Sequence, residues 1–215
     1  MIEPDAAKPE GQRARGKAQK LQRIRDAARA LFIEKGYDDT TTREIAHRAG
    51  VGLGTLFTYA ADKRDLLFLI FNDELEAVAA RAFAEPSNAL FIDQLIAAFH
   101  EFYAFFAKQP HLARFMLREL TFYVAGVEAR RFQRHREQIV VNLAEMVRRA
   151  KQQGGVDAGE SDLVIGHAIF ALYAAEIRRW LANDDSEPEI KQGLVTLRRT
   201  LNILITGLAP QHGRR

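Results

Sequence analysis

The feature that most constrains the fold is the stretch 41–65, TTREIAHRAGVGLGTLFTYAADKRD, whose pattern is typical of two short helices joined by a tight corner. Thr41 followed three residues later by Glu44 forms a capping-box pattern, in which the hydroxyl and the carboxylate each satisfy a free backbone amide. Gly50 follows a small apolar face and lies where the first helix must stop, a position that favours positive φ and therefore glycine. Leu56 anchors the second helix. The stretch therefore predicts a helix-turn-helix.

The predicted second helix covers residues 53–59 and leaves small, hydroxyl-bearing and aromatic residues to face outward. Such side chains suit the floor of a nucleic-acid groove and its phosphate walls. They are Gly54, Thr55, Phe57, Thr58 and Tyr59.

Positive charge is concentrated around this motif. Residues 11–65 carry twelve Lys/Arg against seven Asp/Glu, whereas residues 66–215 carry eighteen of each. A polyanion binds where positive charge collects, although an ordinary solvated surface is the alternative. The coincidence with the helix-turn-helix favours a nucleic-acid interface.

The remainder of the chain shows apolar residues at helical spacing, and no stretch alternates with period two. The sequence therefore predicts an all-α protein of about nine helices. Residues 1–16 mix Pro, Gly, Ala and charges without an apolar period, which predicts a disordered arm. Helices are predicted over 17–35, in the helix-turn-helix, over 62–84, from Ser87 or Asn88 to 108, and over 110–124, 127–153, 161–183 and 188–207.

Composition excludes several functional classes. The chain has no cysteine, which rules out disulfides, thiolate metal ligands and cysteine nucleophiles. Its six histidines show no zinc-ligand spacing, and no serine or acid pair has a recognisable catalytic context. We therefore expect no metal, no cofactor and no enzymatic activity. Without a signal peptide or an apolar run long enough to cross a bilayer, the protein is expected in the cytoplasm.

Residues 17–67 resemble the N-terminal domain of the tetracycline-repressor (TetR) family of bacterial transcription regulators. The resemblance covers about a quarter of the chain. The matching positions are Ala28, Leu31, Phe32, Lys35-Gly36-Tyr37, Thr41-Thr42, Ile45-Ala46, Ala49-Gly50-Val51, Gly54-Thr55-Leu56-Phe57, Tyr59, Lys63 and Leu66-Leu67. Three positions depart from the family: Gly52 lacks a side-chain cap, Phe57 replaces a common tyrosine, and Ala60 replaces an aromatic residue.

The resemblance implies how the motif would contact DNA. Arg43 would reach a base edge, a guanine, while Thr42, Tyr59 and Lys63 would hold phosphates. The full set of DNA-binding candidates is Thr41, Thr42, Arg43, Gly54, Thr55, Phe57, Thr58, Tyr59 and Lys63. The implied division is a disordered basic arm at 1–16, a DNA-binding domain at 17–62, and a helical ligand-binding and dimerisation domain at 63–215.

Aromatic residues point to a second site. Eleven of the fourteen phenylalanines lie between Phe68 and Phe132, where they either fill a core or line an apolar cavity. The resemblance implies such a cavity between the fourth and eighth helices, with its ligand acting as inducer. The candidates are Phe99, Phe102, Tyr103, Phe106, Phe115, Glu119, Tyr123 and Glu176. The two glutamates interrupt apolar stripes, so each either pairs with Arg118, Arg178 or a backbone donor, or meets a polar group of the ligand.

The ninth helix carries leucines at heptad spacing, and the eighth alternates small and large residues on one face, which predicts a two-fold four-helix dimer interface. Packing within one chain is the alternative. The interface candidates are Gly166, Phe170, Ala174, Ile177, Leu194, Leu197, Leu201, Leu204 and Leu208.

Together these features predict a homodimeric repressor that a small-molecule effector of apolar or aromatic character releases from a palindromic operator in double-stranded DNA. Two alternatives stay open. A helical small-molecule-binding protein accounts for the aromatic residues but not for the basic motif. A non-specific DNA-binding protein accounts for the charge and predicts no discrimination between DNA sequences.

Overall fold

The computed structural model describes residues 10–84, 88–120, 122–156, 159–182 and 188–208. Within these ranges the chain forms nine α-helices and no strand, which confirms the all-α prediction. The helices are α1 (Glu10–Lys35), α2 (Thr42–Arg48), α3 (Leu53–Leu56), α4 (Lys63–Ala82), α5 (Phe91–Ala107), α6 (Pro110–Glu119), α7 (Val127–Gln152), α8 (Asp162–Leu181) and α9 (Ile190–Leu208). None of them is long and apolar enough to cross a lipid bilayer.

Two compact units divide the chain. Unit 1 holds the residues up to Phe71 together with Tyr123–Ala129, and unit 2 holds Asn72–Phe122 and the residues from Arg130 onward. The division therefore falls within α4 and again near the start of α7, so the loop before α7 and the first three residues of α7 belong to unit 1.

Unit 1 is built from α1, α2, α3 and the beginning of α4. α1 buries Ile24, Ala28, Leu31 and Phe32, whose spacing places them on one helical face. Gly36 ends this helix with a φ of 85°, a conformation that glycine adopts without steric cost.

In unit 2, α5 contributes a large part of the core, because its Leu95, Phe99, Phe102 and Phe106 are all buried. α5 packs against α6 and α9, and α8 packs against α6 and α9. α8 also lies very close to α7, because a Cβ at Gly166 would stand 3.0 Å from the backbone of Val140 and Ala144.

Several predicted boundaries are corrected. α1 begins at Glu10, so residues 10–16, expected in a disordered arm, are helical. Residues 1–9 lie outside the described residues. The N-cap of α5 is Leu90 rather than Ser87 or Asn88, and Ser87 lies outside the described residues. α8 ends at Leu181, two residues before the predicted end.

Candidate functional site

The capping box at the start of α2 is confirmed. The Glu44 amide donates to the Thr41 hydroxyl at 3.3 Å, and the Thr41 amide donates to the Glu44 carboxylate at 2.9 Å. Glu44 also forms an ion pair with Lys35 at the end of α1. The hydrogen bond from Lys35, followed by those from Thr41, lowers the pKa of the Glu44 carboxyl to about 2. The box therefore fixes the N-terminus of α2 and ties it to α1.

The corner after α2 also forms as predicted. Gly50 has a φ of 62°, and the following amide of Val51 donates to the Ala46 carbonyl at 3.0 Å. This 6→1 bond lets the chain reverse direction within a few residues. Ile45 of α2 and Leu56 of α3 are both fully buried, so each helix of the motif contributes an apolar anchor to the core of unit 1.

The second helix of the motif is shorter than predicted. α3 spans only Leu53–Leu56, and its N-cap, Gly52, provides no side-chain hydrogen bond. Beyond it the Thr58 amide bonds the Thr55 carbonyl and the Tyr59 amide bonds the Leu56 carbonyl. This three-residue spacing tightens the backbone into a turn and ends the α-helical geometry before Tyr59.

Arg43 is the most available of the predicted DNA contacts. Its side chain is exposed on α2 and makes no hydrogen bond or ion pair with the described residues. Arg48, one turn further along, is instead held by Glu34, with a guanidinium–carboxylate distance of 2.7 Å. Arg43 therefore keeps all five of its N–H donors for an external acceptor.

The other candidates already have partners within unit 1 or lie at its surface. The Tyr59 hydroxyl donates to the Lys17 carbonyl at 3.4 Å, and the Thr58 hydroxyl donates to the Thr55 carbonyl at 2.7 Å. Phe57 is 44% exposed. Thr42 and Thr55 are partly exposed, Gly54 is exposed, and Thr41 belongs to the capping box.

Lys63 has a structural contact that the sequence did not predict. Its ammonium donates to the carbonyls of Tyr37 and Asp38 at 2.9 and 3.0 Å and lies 4.7 Å from the centre of the Tyr37 ring. An ammonium has three donors, so one remains for a phosphate.

A segment preceding α7 is attached to the N-terminus of α4 within unit 1. Asp62 caps α4 by accepting from the amides of Arg64 and Asp65 at 2.8 and 3.0 Å, and it also accepts from the Tyr123 hydroxyl at 2.9 Å. The Tyr123 ring stacks on Phe68 with 6.0 Å between centroids. Burial, followed by the bond to Asp62, raises the pKa of the Tyr123 phenol, so it stays a neutral donor.

Asp65 makes the second attachment. Its carboxylate is fully buried and accepts from the amides of Ala61 and Ala129, each at 2.9 Å. Gly126 passes so close that a Cβ there would stand 1.9 Å from Oδ1 of Asp65. We call residues 123–129 together with Asp62 and Asp65 the α4 clasp.

Unit 2 contains an apolar cavity of about 50 Å³. It is lined from α4 to α8 by Leu75, Phe102, Phe106, Leu117, Leu120, Phe132, His135, Arg136, Ile139, Phe170, Tyr173, Ala174, Ile177 and Arg178. Burial lowers the pKa of His135 and raises the pKa of Tyr173, so both are neutral at neutral pH. The cavity can accept an apolar group beside a cationic edge.

Of the ligand candidates, Phe102 and Phe106 line this cavity. Phe99 and Tyr103 lie behind Tyr173, with ring centroids 4.4 and 6.3 Å from it. Glu119 binds Arg118 at 3.1 Å, and the Arg118 guanidinium lies over the Phe115 ring. Tyr123 belongs to the α4 clasp instead.

Glu176 is buried and accepts hydrogen bonds from Arg179 at 3.0 Å and from Thr200 at 3.1 Å. Its partner is therefore Arg179 rather than the expected Arg178. Arg178 is left to face the apolar cavity.

Four of the predicted dimer residues are buried within one chain, which corrects the assignment of Gly166, Ile177, Leu197 and Leu201 to the interface. Leu197 and Leu201 are fully buried, and α9 packs against α5 and α8. Gly166 is buried against α7, while Phe170, Ala174 and Ile177 line the cavity. Leu194 and Leu204 are partly exposed, and the side chain of Leu208 lies outside the described residues.

The helix-turn-helix is similar in sequence to a known protein family. Residues 24–70 match the sequence model of the family described as "Bacterial regulatory proteins, tetR family". These residues cover most of α1, all of α2 and α3, and the beginning of α4. This region is similar to the N-terminal region of TetR-family regulators.

Two curated relatives are similar in sequence to this region. An HTH-type transcriptional regulator of Staphylococcus aureus is 39% identical over 54 residues, covering 25% of this chain and 29% of the relative. An HTH-type transcriptional repressor of Mycobacterium tuberculosis is 34% identical over 80 residues, covering 37% and 43%. The chain thus spans less than half the length of the curated relatives it matches.

Solved structures extend the likeness from this region to the fold of most of the chain. The FadR repressor of Thermus thermophilus, in complex with lauroyl-CoA, superposes with a TM-score of 0.70 at 24% identity, covering 91% of this chain and 98% of that one. FadR of Bacillus subtilis, in complex with stearoyl-CoA, gives 0.65 at 22% identity, covering 87% and 98%. At these identities the comparison establishes the fold.

Sequence reasoning missed Arg136 and Arg178 at the cavity. The available signal was the one-face spacing of Phe132, Arg136 and Ile139 on α7 and of Phe170, Ala174 and Arg178 on α8. An arginine within an apolar stripe resembles an ordinary surface residue until the partner helix is known.

Proposed function

We propose that this TetR-family chain is a homodimeric, ligand-responsive transcription regulator that represses genes by binding a palindromic operator. The observation that carries the proposal is the helix-turn-helix matched to the family, with Arg43 exposed and without a hydrogen-bond or ion-pair partner among the described residues. Bidentate pairing of arginine with guanine is the commonest specific contact in the major groove.

DNA binding would combine one specific contact with several phosphate contacts. Arg43 reads a guanine, and Thr42 and the remaining donor of Lys63 hold phosphates, which position the motif without carrying sequence information. The Tyr59 hydroxyl has one O–H donor, so it holds a phosphate by giving up its 3.4 Å bond to the Lys17 carbonyl. Because the basic charge lies in residues 11–65, affinity should fall steeply as salt rises.

The direct test is an electrophoretic mobility shift on the DNA upstream of the chain's own gene. Arg43→Ala should weaken specific binding by about tenfold to a hundredfold, since a bidentate contact contributes ~1–3 kcal/mol. Arg148→Gln is the matched control, because this exposed α7 residue lies outside the helix-turn-helix and forms its ion pair with Glu145 of the same helix. Equal sequence-specific binding by the Arg43 variant and the wild type would remove Arg43 from the interface.

Salt titrations on the upstream duplex and on a random duplex separate the rival functions. A sequence-specific regulator binds the two duplexes with different affinities at every salt concentration. A non-specific DNA-binding protein binds both alike, and a purely ligand-binding protein binds neither.

The effector would bind the apolar cavity of unit 2. Leu75 of α4 lines that cavity, and the same helix begins in unit 1 at the α4 clasp. An effector that binds better to a state with α4 displaced would release the operator, whereas equal affinity for both states would shift nothing. Acyl-CoA thioesters are the first class to test, because a repressor and a transcriptional regulator of the same fold were solved in complex with lauroyl-CoA and stearoyl-CoA, respectively.

For the homodimer, the outward faces of α8 and α9 replace the buried seam as the interface. On α9, this face includes Val195 and Ile203, whose exposed fractions are 53% and 78%. On α8, it includes the exposed small side chains of Ala171 and Ala175. Two-fold pairing of these faces would present two helix-turn-helix motifs to half-sites spaced roughly 34–36 Å apart.

A further inference from the structure

The ionisable side chains at the cavity of unit 2 include two arginines and no carboxylate. Arg136 of α7 and Arg178 of α8 both line it, together with His135 and the phenol of Tyr173. All of the other lining side chains are aliphatic or aromatic, and therefore apolar. An apolar chamber with only cationic charge at its edge favours an anion.

The two guanidiniums bond only to neutral groups. Arg136 donates to the Gln133 side-chain carbonyl at 3.0 Å, and Arg178 donates to the Ala174 carbonyl at 2.9 Å. Neither forms an ion pair with a carboxylate of the described residues. Both side chains are partly buried, and partly buried cations without a counter-charge are unfavourable.

Neighbouring acids are engaged elsewhere or lie outside the cavity. Glu176, on the same helix as Arg178, binds Arg179 and Thr200. Burial and the like charge of Arg178 lower the pKa of the Arg136 guanidinium. The neighbouring Glu137 carboxylate acts in the opposite direction and raises that pKa, but the net shift is downward. Two like charges are thus brought to one cavity, and no carboxylate in the described part of the chain forms an ion pair with either of them.

We propose that Arg136 and Arg178 together bind the anionic group of the effector, a carboxylate or a phosphate, while an apolar chain of the same molecule enters the cavity. The effector is then an amphipathic anion. This inference rests on the proposed function only in calling the ligand an effector, and binding itself is measured without DNA.

The size of the cavity adds a mechanical consequence. At about 50 Å³ it is well below the ~300–1,000 Å³ of ligand-sized pockets, so the lining side chains move when a chain of several carbons enters. The Arg136 guanidinium lies 5.4 Å from the centre of the Phe170 ring. An anion that draws this guanidinium away frees Phe170 to turn.

The test is isothermal titration calorimetry of the full chain with three twelve-carbon probes: dodecanoate, dodecyl phosphate and the neutral dodecanol. The wild type should bind at least one anion tenfold or more tightly than dodecanol, and the tighter anion identifies the head group. Arg136→Gln and Arg178→Gln should each weaken anion binding about tenfold, or ~1.4 kcal/mol, and leave dodecanol binding unchanged. Arg136→Lys should retain part of the preference, and Arg148→Gln should retain all of it.

Three outcomes overturn the inference: dodecanol binding as tightly as the anions, no binding of any probe, or an unchanged anion preference in both arginine variants. Far-UV circular dichroism of each variant establishes that it is folded. Specific DNA binding by the wild type together with any of these outcomes would reject the arginine pair while leaving the regulator function intact. Anion preference without specific DNA binding would support the arginine pair and reject the regulator function.

Discussion

Gly126→Ala should disrupt the α4 clasp. The new methyl carbon would stand 1.9 Å from Oδ1 and 2.1 Å from Cγ of Asp65, far inside van der Waals contact. The carboxylate cannot simply turn away, because it is fully buried and accepts from the amides of Ala61 and Ala129. Either the carboxylate or the backbone of residues 123–129 must move.

The expected cost follows from those hydrogen bonds. A hydrogen bond to a charged group contributes about 1.5–3 kcal/mol, so losing one or two of them should lower the free energy of unfolding by about 2–5 kcal/mol. Gly159→Ala is the control, since no atom outside its chain neighbours lies within 4 Å of a Cβ at that position. It should change stability by less than about 0.5 kcal/mol.

A double-mutant cycle with Asp65→Ala measures the contact itself. Asp65→Ala should be destabilising alone, because the amides of Ala61 and Ala129 lose their acceptor. Once the Asp65 carboxylate is gone, adding Gly126→Ala should cost almost nothing more. Urea unfolding gives the free energies, and hydrogen exchange of the Ala129 amide reports the clasp locally. Two results would show that the methyl group does not act through the Asp65 carboxylate. One is additivity of the two changes in the free energy of unfolding, and the other is an unchanged hydrogen-exchange rate of the Ala129 amide in Gly126→Ala.

Three further perturbations test other parts of the account. Glu44 has a folded pKa of about 2 against an ordinary value of 4.5, so its contribution to stability is complete above about pH 4.5 and is lost as the pH falls toward 2. Urea unfolding should therefore separate wild type from Glu44→Gln at pH 6 but not at pH 2, and a pH-independent gap would contradict this. Gly193→Ala places a methyl carbon 2.5 Å from the Tyr103 ring. It should lower the free energy of unfolding by about 1–3 kcal/mol and alter the fluorescence of the single tryptophan. Stability equal to that of the wild type would show that α9 can shift freely. Ile203→Asp should raise the dimer dissociation constant at least tenfold in analytical ultracentrifugation, and an unchanged dimer would exclude the outward face of α9 from the interface.

The parts of the fold set by short-range chemistry were predictable from the sequence. The capping box of Thr41 and Glu44, the left-handed glycine at 50 and the cap at Asp62 each depend on residues within a few positions of one another. Their backbone hydrogen bonds are decided locally, so a pattern of residue types is enough to place them.

The end of α3 was not predictable in the same way. Residues 57–59 continue an acceptable helical pattern, but the backbone tightens after Leu56, whose side chain is fully buried in unit 1. Tertiary packing at this anchor overrides the weak local preference.

The α9 leucines show the main limit of sequence reasoning. A heptad seam specifies that a helix packs against another helix, but not whether that helix belongs to the same chain. Leu197 and Leu201 pack within unit 2, which leaves the less regular outward face for a partner.

Long-range partners at the cavity were equally hidden. Glu176 has arginines two and three positions away, and only the folded backbone decides that Arg179 binds it while Arg178 reaches the cavity. The α4 clasp likewise joins residues more than sixty positions apart, for which the sequence contains no local signal.

The most direct test of the central claim is selection of bound sequences from a pool of random 30-base-pair duplexes, read by sequencing. The wild type should enrich one palindrome whose half-sites are about one helical turn apart, with a guanine in each half-site that Arg43→Ala no longer selects. Failure of the wild type to enrich any sequence would contradict the claim that this helix-turn-helix reads DNA specifically.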